Sequence, residues 1–483
     1  MNRLLALILL SCASCQTNAP KKMPNVIFIL IDDLGWSDLS CYGSTFYETP
    51  NIDQLAQEGI RFTDAYASCP VCSPTRASIL TGKHPARLQI TDWIPGSDPK
   101  NRPLLGAQDL NELPLSEITF AERLQETGYE TAFLGKWHLG DTSYLPQDQG
   151  FDLNKGGHDA GQPATYFYPY ENPKRGHLNV PGLQGGQADE YLTDRLTEES
   201  LTFIQKNQSQ PFLLYLAHYA VHTPIEAKPA LVEKYTMKLD QSPPKVGLDY
   251  IPERDSRSRK YQSNPSYAAM LQSVDESIGQ IQAQLQELGL AENTILIFTS
   301  DNGGLSTLPS RRTGPTASLP LRAGKGWLYE GGIRVPLIVK WPAKIDAGLQ
   351  SNLPVTSTDF YPTILELLGL PLLPTQHADG RSIAAHLSAQ TELKEQPLFW
   401  HFPHYHGSGN RPSAAVRQGD YKLIKWYETD SLELYNLTND LAEQYNLVDS
   451  LPNKTQELHQ ALRSWQKGIG ATMPTKNPNY MNN

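Results

Sequence analysis

Carboxylate and amide side chains follow two apolar runs of the sequence. Asp32 and Asp33 come directly after "NVIFILI", and Asp301 and Asn302 come directly after "TILIFTS". Both runs are rich in β-branched residues, as strands buried on both faces of a sheet are. If the strands are neighbours, four oxygen donors meet at the carboxyl edge of the sheet, where open α/β folds bind ligands. Such donors suit a hard cation such as Ca²⁺ or Mg²⁺, although each pair also belongs to a common turn sequence.

A second candidate for chemistry is the stretch "SCPVCSPTRASILTG", residues 68–82. Pro74 predicts the first turn of a helix, which places Cys72 at the helix N-terminus. Free backbone N–H groups and the helix dipole favour an anion at that end. Arg76 lies one turn further and can point back to the same place. A nucleophile at position 72 would therefore face an anionic substrate.

The spacing of Cys69 and Cys72 also fits a dithiol redox centre or half of a zinc site. A thioredoxin-like dithiol is expected just after the first strand of a small fold, whereas this one lies inside a chain of 483 residues. A structural zinc site needs a second pair of ligands, which the sequence lacks.

The elements that must hold these residues alternate between buried strands and helices. "PFLLYLAH" (211–218) is another buried strand, and apolar residues recur every three or four positions from Tyr267 to Leu288, which predicts a long amphipathic helix. This alternation predicts an α/β domain over residues 23–390, with a largely parallel central sheet flanked by helices. We expect the polar stretch 238–263 to be a surface loop.

The pattern changes after residue 390. "AAVRQGDYKLIKWYE" and "SLELYNL" predict short antiparallel strands, and Leu458, Leu462 and Trp465 mark a final helix. We therefore expect a smaller α+β C-terminal domain with an antiparallel sheet over residues 391–483.

Charge and the N-terminus bear on partners and location. The net charge is −10, and no run of Lys and Arg with interleaved aromatic residues stands out, which argues against nucleic acid as a partner. Residues 1–22 predict a signal peptide and linker, with a short apolar run that ends in small residues. Cys12 fits the lipidated cysteine of a bacterial lipoprotein better than Cys15, and an ordinary signal peptide is the alternative. We expect an exported protein, periplasmic or on the outer surface, whose only membrane contact is a lipid anchor.

Several motifs together resemble the sulfatase family. Residues 72–76, Cys-Ser-Pro-Thr-Arg, are similar to its C-x-P-x-R signature, in which the cysteine is converted to formylglycine after translation. The resemblance continues in family order through "GKWHLG" (135–140), "YLAHYAVHTP" (215–224), "FTSDNGG" (298–304) and "GKGWLYEGGIRVP" (324–336). It implies an alkaline-phosphatase-like core with a smaller C-terminal domain. The enzyme would be a sulfuric ester hydrolase that desulfates a carbohydrate.

The resemblance also implies roles for individual residues. A calcium ion, in preference to magnesium, would be bound by Asp32, Asp33, Asp301, Asn302 and an oxygen of residue 72. Sulfate binding and proton transfer would fall to Arg76, Lys136, His138, His222 and Lys325. Within this set, Arg76 would orient the formylglycine hydrate, and the two lysines would hold the sulfate. His222 is the predicted acid for the leaving alcohol, and His138 is the predicted base that regenerates the aldehyde.

The substrate contacts and the alternative functions follow from weaker patterns in the sequence. His158 follows a glycine-rich turn, and His404 lies among aromatic residues near the second domain, which suits sugar binding. His158, Arg322 and His404 are predicted to bind substrate, and ordinary loop packing is the alternative for each. A formylglycine-generating enzyme would be a partner in maturation. A phosphodiesterase or phosphonate hydrolase could use the same site. A non-catalytic glycan-binding lipoprotein is the alternative if Cys72 stays unmodified.

Overall fold

The chain alternates strands and helices up to residue 389, and four longer strands and one long helix follow. The computed structural model describes residues 23–481 apart from 98, 100, 245 and 246, so the predicted signal peptide with Cys12 and Cys15 lies outside the described residues. The strands are β1 (Asn25–Ile31), β2 (Ile60–Phe62), β3 (Ala65–Tyr66), β4 (Leu104–Leu105), β5 (Glu130–Gly135), β6 (Leu153–Lys155), β7 (Phe212–His218), β8 (Tyr250–Glu253), β9 (Ser256–Arg259), β10 (Thr294–Ser300), β11 (Thr307–Pro309), β12 (Leu337–Lys340), β13 (Leu349–Ser351), β14 (Val355–Thr356), β15 (Leu398–Phe402), β16 (Ser413–Gln418), β17 (Tyr421–Trp426), β18 (Leu432–Asn436) and β19 (Thr475–Lys476).

The α-helices lie mostly between these strands. They are α1 (Pro50–Gln57), α2 (Cys72–Thr81), α3 (Pro85–Leu88), α4 (Phe120–Glu126), α5 (Leu192–Lys206), α6 (Pro229–Gln241), α7 (Pro265–Glu287), α8 (Glu330–Ile333), α9 (Phe360–Leu368), α10 (Ala384–Ala389) and α11 (Pro452–Ile469). No helix in the described part of the chain combines the length and apolar character that crossing a bilayer requires.

An eight-stranded sheet forms the centre of the molecule, in the order β13-β2-β12-β10-β1-β7-β5-β6. Strand β1 pairs in parallel with β10 and β7, and β5 pairs in parallel with β7 and β6. Only β12 runs antiparallel to its neighbours. The predicted α/β class with a largely parallel sheet is confirmed.

Both faces of the sheet are covered, so that the molecule has three layers. In β1, Ile27, Ile29 and Ile31 face a core shared with α1, α5 and α7. The alternate residues, such as Phe28, face a second core shared with α2, α4 and α9. This burial on both faces explains why the strand is continuously apolar.

The register of the sheet brings the predicted ligands together. Ile31 in β1 pairs with Ser300 in β10, so the next residues, Asp32 and Asp301, leave the sheet side by side. Because the strands are parallel, both carboxylates emerge at the same edge.

A separate antiparallel sheet, β15-β16-β17-β18, follows in the chain. Helix α11 packs on one of its faces through Leu458 and Leu462. The other face contributes Trp400 and Trp426 to a core that contains Trp327 of the larger domain. The α+β character predicted for this region is confirmed.

The stretch 238–263 differs from the predicted surface loop. It contains the end of α6 and a β-hairpin, β8–β9, to which β11 adds a third antiparallel strand. The third strand comes from residues 307–309, about fifty residues later in the chain. A partner that distant cannot be recognised from the local sequence.

Candidate active site

Three carboxylates and one amide meet at the carboxyl edge of the central sheet. Asp32, Asp33, Asp301 and Asn302 are all buried. The backbone N–H of Asp33 donates to Oδ1 of Asp301 at 3.2 Å, and Nδ2 of Asn302 donates to Oδ1 of Asp33 at 2.8 Å. The structure thus brings together the four side chains that the sequence placed at two separate strand ends.

Each carboxylate is paired with a different buried cation. Nζ of Lys136 lies 2.6 Å from Oδ2 of Asp32, and Nζ of Lys325 lies 2.7 Å from Oδ1 of Asp33. Nη2 of Arg76 lies 2.7 Å from Oδ2 of Asp301. Burial raises the pKa of Asp33, but Lys325, His222 and Lys136 outweigh it, and the net shift is downward. The same cations therefore keep Asp33 ionised.

The oxygen-rich group has unused acceptors. Oδ1 of Asp32 and Oδ1 of Asn302 are buried without a hydrogen-bond partner among the described residues. Buried polar atoms normally have partners, so two oxygens without one in the same group of residues require an explanation. Carboxylate and amide oxygens are the preferred ligands of Ca²⁺ and Mg²⁺, and no thiol lies among these four. The residues therefore fit a hard divalent cation, which Asp32, Asp33, Asp301 and Asn302 would hold.

Residue 72 is presented to this group by helix α2. Cys72 is the first residue of the helix, whose ten residues are all buried. Arg76, one turn along, is held by Asp301 and by the carbonyl of Lys136, which accepts from Nη1 at 2.6 Å. Sγ of Cys72 makes its contact with Nδ1 of His138, at 3.3 Å. The predicted nucleophile position thus lies between a helix N-terminus and an imidazole.

The hydrogen bonds of His138 define its neutral form. The carbonyl of Ile94 lies 2.6 Å from Nε2, so Nε2 carries the proton and donates it. Nδ1 then has a free lone pair that faces residue 72, which is the arrangement a base requires. Burial first, and then Lys136, lower the pKa of His138 well below the usual histidine value, so the ring stays neutral.

Close backbone packing holds this ring in place. A Cβ on Gly161 would lie 2.4 Å from Cε1 of His138, so only glycine allows the 161 backbone to cover the imidazole. His138 and Asp33 themselves both have φ of 60°, in the left-handed region that favours glycine. Such strained backbone concentrates at functional sites.

His222 lies on the opposite side, near Asp33. Its Nδ1 donates to the carbonyl of Thr223 at 2.9 Å, and its Nε2 lies 3.6 Å from Oδ2 of Asp33. Burial, followed by the charge of Lys325, lowers its pKa to about 3. The bare Nε2 of the neutral ring therefore faces the cluster, where it can receive a proton and later deliver it.

The three residues predicted to bind substrate have different surroundings. The carbonyl of His158 accepts from the backbone N–H of His138 at 2.9 Å, which places His158 beside the site. His404 is buried and its Nε2 bonds to Oγ1 of Thr91 at 2.8 Å. Arg322 is engaged by both carboxylate oxygens of Glu253, at 2.7 and 2.9 Å. Substrate binding by these three stays a prediction, and His158 has the position that favours it most.

A histidine that the sequence analysis did not select lies next to Lys325. The Nδ1 of His406 accepts from the backbone N–H of Ser408 at 3.2 Å, so the proton of the neutral ring is on Nε2. A Cβ on the adjacent Gly326 would lie 2.2 Å from this ring. Burial, and then Lys325, lower the pKa of His406 to about 3. The pattern "HFPHYHG" contains both His404 and His406, and nothing local distinguishes the buried one from the one beside the lysine.

Cys69 does not act as a partner of Cys72. Both thiols are free, and Sγ of Cys69 points to the carbonyl of Thr91 at 3.9 Å. Burial raises the pKa of Cys69 well above its usual value. A buried thiol of this kind is inert, unlike the acidic thiol of a redox centre.

Comparison with known proteins agrees with this site. The Sulfatase family profile matches residues 24–370, and the N-sulphoglucosamine sulphohydrolase C-terminal profile matches residues 323–468. A sulfatase of Formosa agariphila is 33% identical, over 95% of this chain and 91% of the relative. The chain belongs to the sulfatase family.

This sulfatase is similar to proteins of other sources as well. Arylsulfatase A of Homo sapiens is 33% identical, over 93% of this chain and 88% of the human protein. The crystal structure of Ps i-CgsB in complex with k-i-k-neocarrahexaose superposes with a TM-score of 0.74 at 28% identity, and covers 96% of this chain and 95% of the other. The predicted family, fold class and enzyme class, a sulfuric ester hydrolase, are confirmed.

Proposed function

We propose that this enzyme removes sulfate from a sulfated carbohydrate, with a formylglycine derived from Cys72 as its nucleophile. The observation that carries the proposal is the 3.3 Å contact between residue 72 and Nδ1 of His138, inside a cluster that contains Arg76, Lys136 and Lys325. Three cations suit a sulfate ester, because attack at sulfur needs positive charge near the oxygens. A formylglycine hydrate supplies one hydroxyl to take the sulfate and a second to release it.

The charged residues of the cluster would have separate roles toward the substrate. Lys136 and Lys325 are buried and point at the carboxylate edge, so their ammonium groups would bind the sulfate oxygens. Arg76 is fixed by Asp301 and by a backbone carbonyl, and it would orient the side chain of residue 72. A calcium ion, in preference to magnesium, would be held by the four oxygen-bearing residues with an oxygen of residue 72, and when bound it neutralises charge on sulfate.

The two histidines suit opposite proton transfers. His138 presents an unprotonated Nδ1 to residue 72, so it would take the proton when the sulfate is expelled. His222 would donate to the leaving alcohol from Nε2. The negative charge of bound sulfate offsets the lysines that lower the pKa of His222, and so helps it to carry that proton.

A carbohydrate is the proposed substrate because relatives point to sugars. Ps i-CgsB is solved with k-i-k-neocarrahexaose, and relatives include an N-acetylgalactosamine-6-sulfatase of Canis lupus familiaris, which is 33% identical over 94% of this chain. A phosphodiesterase or phosphonate hydrolase is the main alternative. Assays of both ester types on one preparation distinguish these functions.

Location and domain division follow the sequence predictions. We propose export with a lipid anchor on Cys12 and maturation by a formylglycine-generating enzyme. Residues 23–390 would form the catalytic domain and residues 391–483 the C-terminal domain, which agrees with the position of the sheet β15–β18.

The decisive experiment combines mass and activity. Intact-mass analysis should show that Cys72 has lost a sulfur and two hydrogens and gained an oxygen, and the converted protein should release sulfate from members of a panel of sulfated sugars. Cys72→Ala should abolish this release, by roughly 10⁴-fold or more. Cys69→Ser is the matched control and should keep activity within about twofold, because its thiol touches no reacting group. Equal loss in both variants, or turnover of phosphate diesters alone, would refute the proposal.

A further inference from the structure

A small sheet beside the active site concentrates positive charge in an acidic protein. The chain has a net charge of −10, but the hairpin segment "RDSRSRK" (254–260) holds four basic residues and one acidic residue. "RR" at 311–312 follows β11 directly. Neither segment is long enough to stand out in the sequence.

Strand pairing brings the two segments together. Leu308 of β11 pairs with Arg257 of β9, and Thr307 forms a bridge with Thr313. Arg311 and Arg312 therefore lie in a short exposed turn next to the hairpin. We name the five residues Arg257, Lys260, Tyr261, Arg311 and Arg312 the basic sheet surface.

The cations of this surface lack carboxylate partners. In the described residues no ion pair involves Arg257, Lys260, Arg311 or Arg312. The guanidinium of Arg257 lies over the Tyr250 ring at 4.1 Å, and Nζ of Lys260 lies 5.3 Å from the Tyr261 ring centroid. Cations without counter-ions favour an anionic ligand.

Neighbouring arginines, by contrast, are paired with carboxylates. Arg254 pairs with Glu433 at 2.9 Å, Arg322 with Glu253 at 2.7 Å, and Arg411 with Asp255 at 2.9 Å. The two acidic residues closest in the hairpin are therefore already bound by arginines outside the surface.

Contacts connect the sheet to the catalytic cluster. Only residues 303–306 separate Asn302 from β11, and the backbone N–H of Lys325 donates to the carbonyl of Gly304 at 3.0 Å. On the other side, Oγ of Ser256 donates to the carbonyl of Ser408, whose N–H donates to His406. The small sheet is therefore in direct contact with the segments that carry Lys325 and His406.

We infer that the basic sheet surface binds further sulfate groups of the glycan whose sulfate ester is cleaved at residue 72. Free arginine and lysine groups bind sulfate oxygens, and the Tyr261 ring offers a stacking face for a sugar. The inference rests on the proposed function and adds that the substrate is a chain with several sulfates. Binding is electrostatic and falls as ionic strength rises.

The test uses a labelled heparin hexasaccharide, chosen for its density of sulfate groups, and the full-length protein. The combined variant Arg257→Gln, Lys260→Gln, Arg311→Gln and Arg312→Gln should weaken binding about tenfold or more, because each exposed ion pair contributes modestly. The matched control removes four exposed cations elsewhere: Lys206→Gln, Arg463→Gln, Lys467→Gln and Lys476→Gln. It should bind as the wild type does.

Two further measurements vary the salt concentration and use a small substrate. Wild-type affinity should fall steeply with added salt, and the sheet variant should lose most of that slope. Both variants should hydrolyse 4-nitrophenyl sulfate at the wild-type rate, because that substrate cannot reach the sheet. If the combined variant melts early, Arg311→Gln with Arg312→Gln alone, in the exposed turn, should still weaken binding about threefold.

Wild-type affinity in the sheet variant, or an equal loss in the control, would overturn the inference. Absence of hydrolysis of every sulfated substrate by the wild type would instead refute the proposed function, and the binding measurement would still decide the surface.

Discussion

Two clusters of charged residues in this protein have the same composition, but their polar atoms are paired differently. The catalytic cluster consists of Asp32, Asp33, Asp301, Arg76, Lys136 and Lys325. The junction cluster lies between the two sheets and consists of Asp64, Glu330, Glu443, Arg334, Arg417 and Lys422. Each has three carboxylates and three cations, drawn from several separate parts of the chain.

In the junction cluster the carboxylates and the cations pair with one another. Nζ of Lys422 lies 2.9 Å from both Glu330 and Glu443, and Nε of Arg334 lies 2.8 Å from the second oxygen of Glu330. Lys422 belongs to β17 and Glu330 begins α8, so the cluster joins the C-terminal sheet to the larger domain. In the catalytic cluster, by contrast, Oδ1 of Asp32 and Oδ1 of Asn302 have no hydrogen-bond partner among the described residues, and the cluster lies beside the N-terminus of α2. Buried charge therefore does not by itself mark an active site.

The largest expected effect on activity comes from a substitution in the catalytic site. His222→Ala should lower kcat by roughly 10²–10⁴-fold for sulfated sugars, because the poor leaving alcohol needs a proton. Its effect on 4-nitrophenyl sulfate should be much smaller. The melting temperature should change little, since the hydrogen bonds of the His222 side chain to the described residues go to its neighbour Thr223. Equal losses for both substrates would contradict the acid role.

A substitution in the junction cluster should lower stability and leave kcat unchanged. Lys422→Met should cost about 3–5 kcal/mol in the free energy of unfolding, because two buried glutamates lose their shared cation. The folded fraction should keep its kcat. Urea unfolding and active-site titration of the same sample measure the two quantities. Lys425→Met, in the same strand as Lys422 but paired with the exposed Asp430, is the matched control and should cost far less. A large loss of kcat in Lys422→Met would mean that the clusters are not independent.

A smaller effect concerns pH at the same junction. Nδ1 of His84 accepts from the N–H of Ala86, and Nε2 lies 3.0 Å from the carbonyl of Phe399 in β15, so only the neutral ring satisfies both contacts. Burial lowers its pKa to about 4 from an unfolded value of 6.5. The unfolded chain therefore binds the extra proton first, and stability present above pH 6.5 is lost as pH falls through 4.

His84→Gln should flatten this acid limb. At pH 5 the wild type should have lost about 2 kcal/mol from His84 relative to pH 7, and the variant should lose less by that amount. Denaturant unfolding at the two pH values tests this, and His177→Gln, at an exposed position, is a control that should leave the slope unchanged. An identical slope in His84→Gln and the wild type would show that another group governs the acid limb.

Much of the fold and the site could be predicted because the signals are local. Apolar β-branched runs revealed the buried strands, and the turn sequences after β1 and β10 marked Asp32, Asp33, Asp301 and Asn302. Pro74 placed Cys72 at a helix N-terminus, and the family motifs placed Lys136, His138, His222 and Lys325. The structure assembles these residues at one edge of the sheet.

The errors and omissions share one physical cause. The stretch 238–263 was expected to be a loop, because its third strand comes from far along the chain. His406 rather than His404 lies beside Lys325, and this depends on how one loop packs on Gly326. The partner of Arg322, Glu253, also comes from a hairpin that local patterns did not predict, and substrate binding by Arg322 stays a prediction.

The sequence by itself determined which chemical groups this protein has and which secondary-structure element carries each, because periodicity, turn residues and capping act over a few positions. Only the tertiary structure decided the pairing of each carboxylate with its cation, the neutral form of His138 set by the Ile94 carbonyl, and the gathering of basic residues on the small sheet. Those outcomes depend on distances between segments far apart in the chain, which strand register and loop packing alone define.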